Sequence, residues 1–78
     1  MIQITNGPFK AFNYHGMVMT APCWAKWIAV DMDGAVYVYD AEPFICGSNE
    51  YWSVEGTPHL LCYVDLEGAD WRKTLMQC

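Results

Sequence analysis

Residues 27–40 read W-I-A-V-D-M-D-G-A-V-Y-V-Y-D, two runs rich in β-branched and aromatic residues on either side of an Asp-Gly step. Runs of this composition favour β-strands, and Asp-Gly between two such runs is a strong local signal for a β-hairpin. The stretch therefore predicts two antiparallel strands joined by a tight loop, and this hairpin forms the centre of the fold.

The length of the loop decides which side chains face each other across the hairpin. A two-residue loop would put the Asp31 carboxylate on an apolar face, opposite Val36. A three-residue loop, residues 32–34 with Gly34 in the left-handed region, keeps apolar and aromatic side chains on separate faces. That loop pairs Val30 with Val36 and Ile28 with Val38 on one face, and Ala29 with Tyr37 and Trp27 with Tyr39 on the other. We therefore predict the three-residue loop, with Asp31, Asp33 and Gly34 as structural turn residues.

The D-M-D-G segment also resembles the start of the nucleophile loop of haloacid-dehalogenase-type phosphatases, in which Asp31 would be the nucleophile and Asp33 the general acid. That chemistry needs Mg²⁺, a phosphate-binding lysine and a parallel sheet with helical crossovers. Residues 41–78 contain no helix-length segment apart from the tail. An EF-hand alignment fails as well, since its first and last ligand positions would hold Ala29 and Asp40. The sequence therefore predicts no catalytic residue and no calcium site.

Composition limits the classes of partner. The chain has 78 residues, 54% of them hydrophobic, and a net charge of −5. This length fits one small domain, 1–78, and the apolar content predicts a folded chain. Nucleic-acid binding needs a basic footprint, which four Lys and Arg residues do not supply. We therefore expect no nucleic-acid binding. No apolar run approaches the roughly 20 residues that span a bilayer, so we expect no membrane binding either.

The candidate metal ligands are four cysteines and two histidines: Cys23, Cys46, Cys62, Cys78, His15 and His59. No C-x₂-C or H-x₃-H pair exists, so the usual zinc-site spacing is absent and we predict no metal and no cofactor. A small metal- or ligand-binding module assembled only by folding stays open as the alternative. The first ten residues lack the basic and apolar regions of a signal peptide. We therefore expect reduced cysteines, mostly buried as small hydrophobes, with Cys78 exposed.

The rest of the chain predicts a mainly β, small α+β fold: a single antiparallel sheet of about four to five short strands around the hairpin 27–40. Turn signals recur along the chain, among them Asn6-Gly7-Pro8 and Gly47-Ser48-Asn49. Further strands are predicted at residues 17–19, 51–54 and 60–66, the last with Leu60, Cys62, Val64 and Leu66 on one face. Asp70 is placed to cap a short C-terminal helix over residues 71–76.

The aromatic residues support two interpretations. They are Trp24, Trp27, Tyr37, Tyr39, Tyr51, Trp52 and Trp71. In the first interpretation they form a second small core, covered by the C-terminal helix. In the second they form an exposed patch that binds a partner, since Trp and Tyr dominate interface hot spots. The candidate interaction surface is then Trp24, Trp27, Tyr37, Tyr39, Trp52 and Trp71.

Residues 22–44, P-C-W-A-K-W-I-A-V-D-M-D-G-A-V-Y-V-Y-D-A-E-P-F, resemble a class of small, mostly uncharacterised phage and prophage proteins. Those proteins carry a tryptophan or tyrosine pair, an A-V-D-x-D-G turn, an aromatic strand and a proline, with a later tryptophan that corresponds to Trp52. The tail A-D-W-R-K-T-L resembles their D-W-x-x-S-L ending, with Thr74 in place of Ser. The resemblance covers about a third of the chain and implies a virus-encoded accessory protein in the bacterial host cytoplasm.

These observations together predict a non-enzymatic interaction module. The expected partner is a host or phage protein, and the expected effect is inhibition of a host defence or metabolic protein. Edge strands in so small a sheet also favour pairing with a second copy, so a homodimer through a sheet edge is a further expectation.

Overall fold

The computed structural model describes residues 9–47 and 50–78, which fold into two antiparallel sheets. Strands β1 (Phe9–Tyr14) and β2 (Met17–Pro22) form a two-stranded sheet. Strands β3 (Trp27–Val30), β4 (Ala35–Tyr39), β5 (His59–Tyr63) and β6 (Met76–Gln77) form a four-stranded sheet in the order β5-β4-β3-β6. The predicted mainly β, antiparallel class is confirmed. The prediction of one sheet is wrong, because the first hairpin packs against a face of the larger sheet instead of extending its edge.

The central hairpin has the register of the three-residue loop. Its cross-strand pairs are Trp27 with Tyr39, Ile28 with Val38, Ala29 with Tyr37 and Val30 with Val36. The Asp31 amide donates to the Ala35 carbonyl and the Gly34 amide to the Asp31 carbonyl, each at 2.9 Å. Gly34 has a φ of +89°, the left-handed conformation that closes such a loop. Alternation along the two strands therefore gives the sheet one β-branched face and one aromatic face.

The β-branched face is covered by the β1–β2 hairpin. A two-residue turn joins these strands, with φ of 49° at His15 and 83° at Gly16, and the Gly16 amide donates to the Asn13 side chain. Tyr14, Met19 and Ala21 of this hairpin lie in one buried cluster with the β-branched face of β3 and β4. The members contributed by that face are Ile28, Val30, Val36 and Val38. This cluster is the main hydrophobic core of the domain.

Strand β5 is shorter than predicted and changes register. It ends at Tyr63 instead of Leu66, and its pairing with β4 shifts between Val36 and Tyr37, so that Cys62 pairs with Val36 while Leu60 pairs with Tyr37. The skipped residue, Leu61, packs against the main core. The prediction that Leu60 and Cys62 share a face is therefore wrong, because one extra residue in a strand inverts the alternation beyond it.

The prediction of a C-terminal helix over residues 71–76 is also wrong. Residues Trp71–Lys73 form only a 3₁₀ turn, although the Asp70 side chain caps it as predicted by accepting from the Arg72 amide. The chain then extends as β6, which pairs with the outer edge of β3. The backbone groups of this segment form hydrogen bonds to β3 instead of the ones that further helical turns would provide. The same bonds give partners to backbone groups of β3 that would otherwise be exposed to solvent at the edge of the sheet.

Three smaller predictions have different outcomes. Residues 51–54 are not a strand, since only Ser53 makes a bridge, to Phe44. Strand β2 includes the predicted residues 17–19. The turn signal at Asn6-Gly7-Pro8, and residues 48 and 49 of the other, lie outside the described residues.

The four cysteines form no disulfide bond, but they are not mostly buried. Cys23 and Cys46 are exposed, whereas Cys62 and Cys78 are half-buried. The expectations for burial and for an exposed Cys78 are therefore wrong. Cys78 is partly covered because its amide continues the β6 pairing, donating to the Lys26 carbonyl at 3.0 Å, and its side chain packs against the main core.

Candidate binding cleft on the aromatic face

The aromatic face of the four-stranded sheet carries a second hydrophobic cluster. Its buried members are Ala29, Tyr39, Trp52 and Trp71, and half-buried Trp27, Tyr37 and Leu75 pack against them. The rings of Trp52 and Trp71 meet edge to face, with centroids 6.2 Å apart. Such a geometry is favoured by the ring quadrupoles. The cover over this face therefore comes from the 3₁₀ turn and from residues 50–54 rather than from a helix.

Residues 50–54 are attached to the hairpin loop by a set of hydrogen bonds. The Trp52 amide donates to the Asp31 carboxylate at 2.9 Å, and the Trp52 indole donates to the Val30 carbonyl at 3.1 Å. The Met32 amide donates to the Glu50 carbonyl at 3.2 Å. The loop and this segment therefore form one unit, and Asp31 is the side chain that joins them.

An open cleft of about 770 Å³ lies between the hairpin loop and residues 50–54. We call it the aromatic cleft. Its residues are Asp31, Met32, Asp33, Tyr37, Tyr39, Glu50, Tyr51, Trp52, Ser53, Val54 and Pro58. Tyr51 is 51% exposed and Met32 is 52% exposed, so rings and a flexible thioether side chain are available to a partner at its rim. The cleft has the mixed apolar and polar lining that small protein-binding sites use.

The carboxylates of the cleft differ in their surroundings. Burial raises the pKa of Asp31, against the opposing effect of the hydrogen bond from the Trp52 backbone, and repulsion from Asp33 raises it further. Asp33 is exposed and accepts from the Ala35 amide at 3.0 Å. Glu50 is also exposed. The aromatic cleft therefore has an acidic side that faces solvent.

Tyr39 supplies a buried polar atom without a partner. The residue is only 1% exposed, and its hydroxyl has no hydrogen-bond partner among the described residues. Burial raises the pKa of Tyr39, and the charge of Asp31 raises it further. An unpaired buried hydroxyl costs roughly 1–3 kcal/mol, which makes it an unusual feature of a native core.

A second cavity, of about 470 Å³, lies on the other side of the sheet beside Tyr14 and Thr74. There the Tyr14 hydroxyl donates to the Thr74 carbonyl, and the Thr74 hydroxyl donates to the Trp71 carbonyl. The buried Tyr14 and Thr74 side chains beside it are therefore already hydrogen-bonded. The aromatic cleft is the stronger candidate, because it combines exposed rings, exposed carboxylates and an unsatisfied hydroxyl.

The six aromatic residues named as a candidate surface do not form one exposed patch. Tyr39, Trp52 and Trp71 are buried, Trp27 and Tyr37 are half-buried, and Trp24 is 46% exposed. Trp24 lies apart from the cleft and makes an edge contact with His59, 5.8 Å between centroids. The structure brings Tyr37, Tyr39 and Trp52 together in the cleft with two of the turn residues, Asp31 and Asp33.

Several cleft residues, among them Glu50 and Tyr51, were absent from the candidate surface predicted from the sequence. The Tyr51-Trp52 pair was a usable signal for one of them, since adjacent aromatic residues outside a strand present their rings in different directions. Glu50 carries no local signal, because its position depends on the pairing of residues 50–54 with the hairpin loop.

The Cys and His residues do not assemble into a ligand set. Among the described residues, no three Cys, His, Asp or Glu side chains come close enough together to hold a metal ion. This includes the three acidic residues of the aromatic cleft, which line one space without converging on a point.

Comparisons with known proteins give no independent indication of function. The chain matches no protein-family model, and neither the curated proteins nor the solved structures contain a match to it. Within residues 9–47 and 50–78, no helix has the length and apolar character needed to cross a membrane.

Proposed function

We propose that this protein is a non-enzymatic interaction module that binds a protein partner at the aromatic cleft. The observation that carries the proposal is a single cleft lined by the exposed Tyr51 and the half-buried Tyr37, next to Trp52, which is hydrogen-bonded to Asp31 and Val30. Aromatic side chains of this kind supply much contact area at low entropic cost. A preorganised surface also reduces the ordering cost of association.

The acidic residues of the turn support a non-enzymatic role. The Asp31 carboxylate accepts from the Trp52 amide and the Asp33 carboxylate accepts from the Ala35 amide. Both also belong to an antiparallel hairpin, whereas the phosphatase mechanism uses the end of a parallel strand. These contacts favour the acids as structural groups that shape the cleft over their use as nucleophile and general acid.

The identity of the partner rests on the resemblance to small phage and prophage proteins. On that basis the partner is a host or phage protein in the bacterial cytoplasm, and binding inhibits a defence or metabolic function. A metal-binding module is the weaker alternative, because the described residues contain no group of three candidate ligands.

Affinity capture from a bacterial lysate tests the proposal when it is done with matched variants. Tyr51→Ala removes an exposed ring from the cleft, and Phe9→Ala removes an exposed ring from β1, outside the cleft. We expect a specific protein to be captured by the wild-type chain and by Phe9→Ala and to be lost with Tyr51→Ala. Equal capture by both variants would place the binding surface elsewhere.

Self-association through a sheet edge is a separate proposal. Strand β5 is an outer strand of the four-stranded sheet, and its Tyr63 side chain is 65% exposed. Unpaired edges of this kind promote pairing with another strand. Light scattering over a range of concentrations tests it: a dimer that becomes a monomer when Tyr63→Lys places a charge on this edge supports the edge contact, and a monomer throughout contradicts it.

A further inference from the structure

The aromatic cleft is lined by negative charge alone. Asp31, Asp33 and Glu50 contribute carboxylates, and the described residues that line the cleft include no Lys, Arg or His. The rings of Tyr37 and Tyr51 also line the cleft, and the π face of an aromatic ring attracts cations electrostatically. Both kinds of group therefore favour a positively charged ligand over a neutral or negative one.

The buried hydroxyl of Tyr39 is an independent indication of a ligand. Tyr39 lies in the wall of the cleft, is 1% exposed and has no hydrogen-bond partner among the described residues. A phenolic oxygen can accept a hydrogen bond from an N–H donor. The oxygen is shielded from solvent, so a ligand donor would reach it only after a small displacement of the cleft wall, and it would then satisfy a group that is otherwise costly to bury.

The arrangement fits an organic cation better than a metal ion. A metal ion needs several ligand atoms at about 2.0–2.6 Å from one point, and no three acidic, Cys or His side chains among the described residues are placed to provide them. Ammonium and guanidinium groups are larger, and they distribute several N–H donors toward separate acceptors. Carboxylates spread along a cleft of this size suit such a group.

We propose that the aromatic cleft binds the cationic side chains of a basic segment of the partner protein, Arg or Lys. This inference rests on the proposed function, because it names the chemistry of the partner at the same site. The acidic side chains pair with the cation, the rings of Tyr37 and Tyr51 flank it, and the Tyr39 hydroxyl accepts one of its N–H groups. The net charge of −5 also steers a basic segment toward the protein.

Peptide titration tests the inference directly. The probes are acetyl-Gly-Arg-Gly-Arg-Gly amide, the same peptide with Lys, and a neutral control with Gln. We expect both basic peptides to shift the amide resonances of Glu50, Tyr51 and Gly34 in heteronuclear NMR spectra, and the Gln peptide to leave them unchanged. Raising the salt from about 50 to 500 mM should weaken the binding, since exposed ion pairs are screened. Equal binding of the Gln peptide would overturn the inference.

Titration with spermidine, a free polyamine, tests whether the ligand is a basic protein segment or a small polyamine. Both carry cationic amines, but only the peptide offers a backbone that can contact the rim of the cleft. We expect spermidine to bind more weakly than the basic peptides at the same charge concentration. Tighter binding of spermidine would overturn a protein segment as the ligand.

Charge-matched variants locate the contact. Glu50→Gln removes one charge from the cleft, and Glu42→Gln removes one from an exposed position outside it. For an exposed ion pair we expect Glu50→Gln to weaken peptide binding about two- to fivefold. Glu42→Gln should leave the affinity unchanged. Equal losses of peptide affinity in the two variants would show that net charge, and not a specific contact in the cleft, determines the binding.

Tyr39→Phe separates ligand binding from folding. Removing an unsatisfied hydroxyl should keep or raise the melting temperature of the free protein, while the affinity for the basic peptides should fall. An unchanged affinity would overturn the role of Tyr39. If Tyr51→Ala abolishes capture of a protein partner but no basic peptide binds, then the proposed function stands and only the inference about its chemistry fails.

Discussion

The Tyr14 hydroxyl donates a hydrogen bond to the Thr74 carbonyl at 2.5 Å, and this contact joins the first hairpin to the C-terminal segment across 60 positions of the chain. The Thr74 hydroxyl accepts from the Val30 amide at 2.9 Å and donates to the Trp71 carbonyl at 2.7 Å. Strand β6 pairs with β3 at Trp27 and Ile28, and the Thr74 hydroxyl adds one side-chain bond at Val30, beyond that ladder. One buried residue therefore holds together both sheets and the 3₁₀ turn.

Thr74→Val tests this junction, because valine has nearly the same shape but no hydroxyl. We expect a loss of about 2 kcal/mol in the free energy of unfolding, since the buried Val30 amide and Trp71 carbonyl each lose a partner. Thr74→Ser is the control. It keeps the hydroxyl and should cost only about 0.8 kcal/mol, the value of one buried methyl group. Urea denaturation measures both, and equal losses would contradict the hydrogen-bonding role.

Tyr14→Phe should make stability less sensitive to high pH. Burial raises the pKa of Tyr14 from 10.0 to about 12. The folded state thus holds the Tyr14 hydroxyl proton more tightly than the unfolded state does. The resulting contribution to stability is fully present below pH 10 and is lost as the pH rises through about 12. The variant lacks that dependence, but it also loses the bond to Thr74, worth about 1 kcal/mol. The free energy of unfolding of Tyr14→Phe should therefore lie furthest below that of the wild type near pH 8, and the difference should be smaller at pH 11. A constant deficit between these values would count against the shift.

Gly34→Ala and Gly16→Ala separate backbone strain from steric clash. Both glycines have a positive φ, +89° and +83°, but a Cβ at Gly34 would lie 2.2 Å from the Val64 carbonyl oxygen, whereas a Cβ at Gly16 has no neighbour within 4 Å. Gly16→Ala should cost about 1 kcal/mol, the strain of a left-handed alanine. Gly34→Ala should cost about 2 kcal/mol more, because backbone must move.

Thermal unfolding measures the comparison, since about 1 kcal/mol shifts the melting temperature by roughly 4–8 °C in a domain of this size. Similar shifts for the two glycine variants would show that β5 and the loop yield easily, and would contradict the close approach of Gly34 to Val64.

Asp31→Asn should stabilise the protein at neutral pH. Burial raises the pKa of Asp31, so its ionised form is less favourable in the folded than in the unfolded state, and the contribution to stability falls as the pH rises through and above the ordinary value of 3.8. Asparagine keeps an oxygen for the Trp52 amide without the charge. The gain should be present at pH 7 and disappear near pH 3, where the wild-type carboxyl is protonated.

Asp31→Ala provides the control for the acceptor. It removes the oxygen that receives the Trp52 amide, so we expect it to be less stable than Asp31→Asn at both pH values. If alanine and asparagine gave the same stability at pH 7, then the hydrogen bond to residues 50–54 would not support the cleft.

The local sequence pattern was sufficient to predict most of the central hairpin. Period-2 alternation in residues 27–40 and the Asp-Gly step were enough to predict the pairing of Val30 with Val36, the left-handed Gly34 and the two contrasting faces. Each of these depends on residues only a few positions apart, and a slip in register would exchange the faces. The Asp70 cap was predictable for the same reason.

Long-range contacts decided the rest. Whether Met76–Gln77 forms a strand depends on unpaired backbone groups at the edge of β3, and whether Leu61 is left out of the pairing depends on the packing of β5 against β4. The acidic and aromatic cleft likewise exists because the Trp52 amide reaches Asp31 across 21 positions. Sequence alone specified the hairpin because its determining contacts are local; only the tertiary structure could place Glu50, Tyr51 and Thr74, since their partners are distant in the chain and no local propensity encodes those contacts.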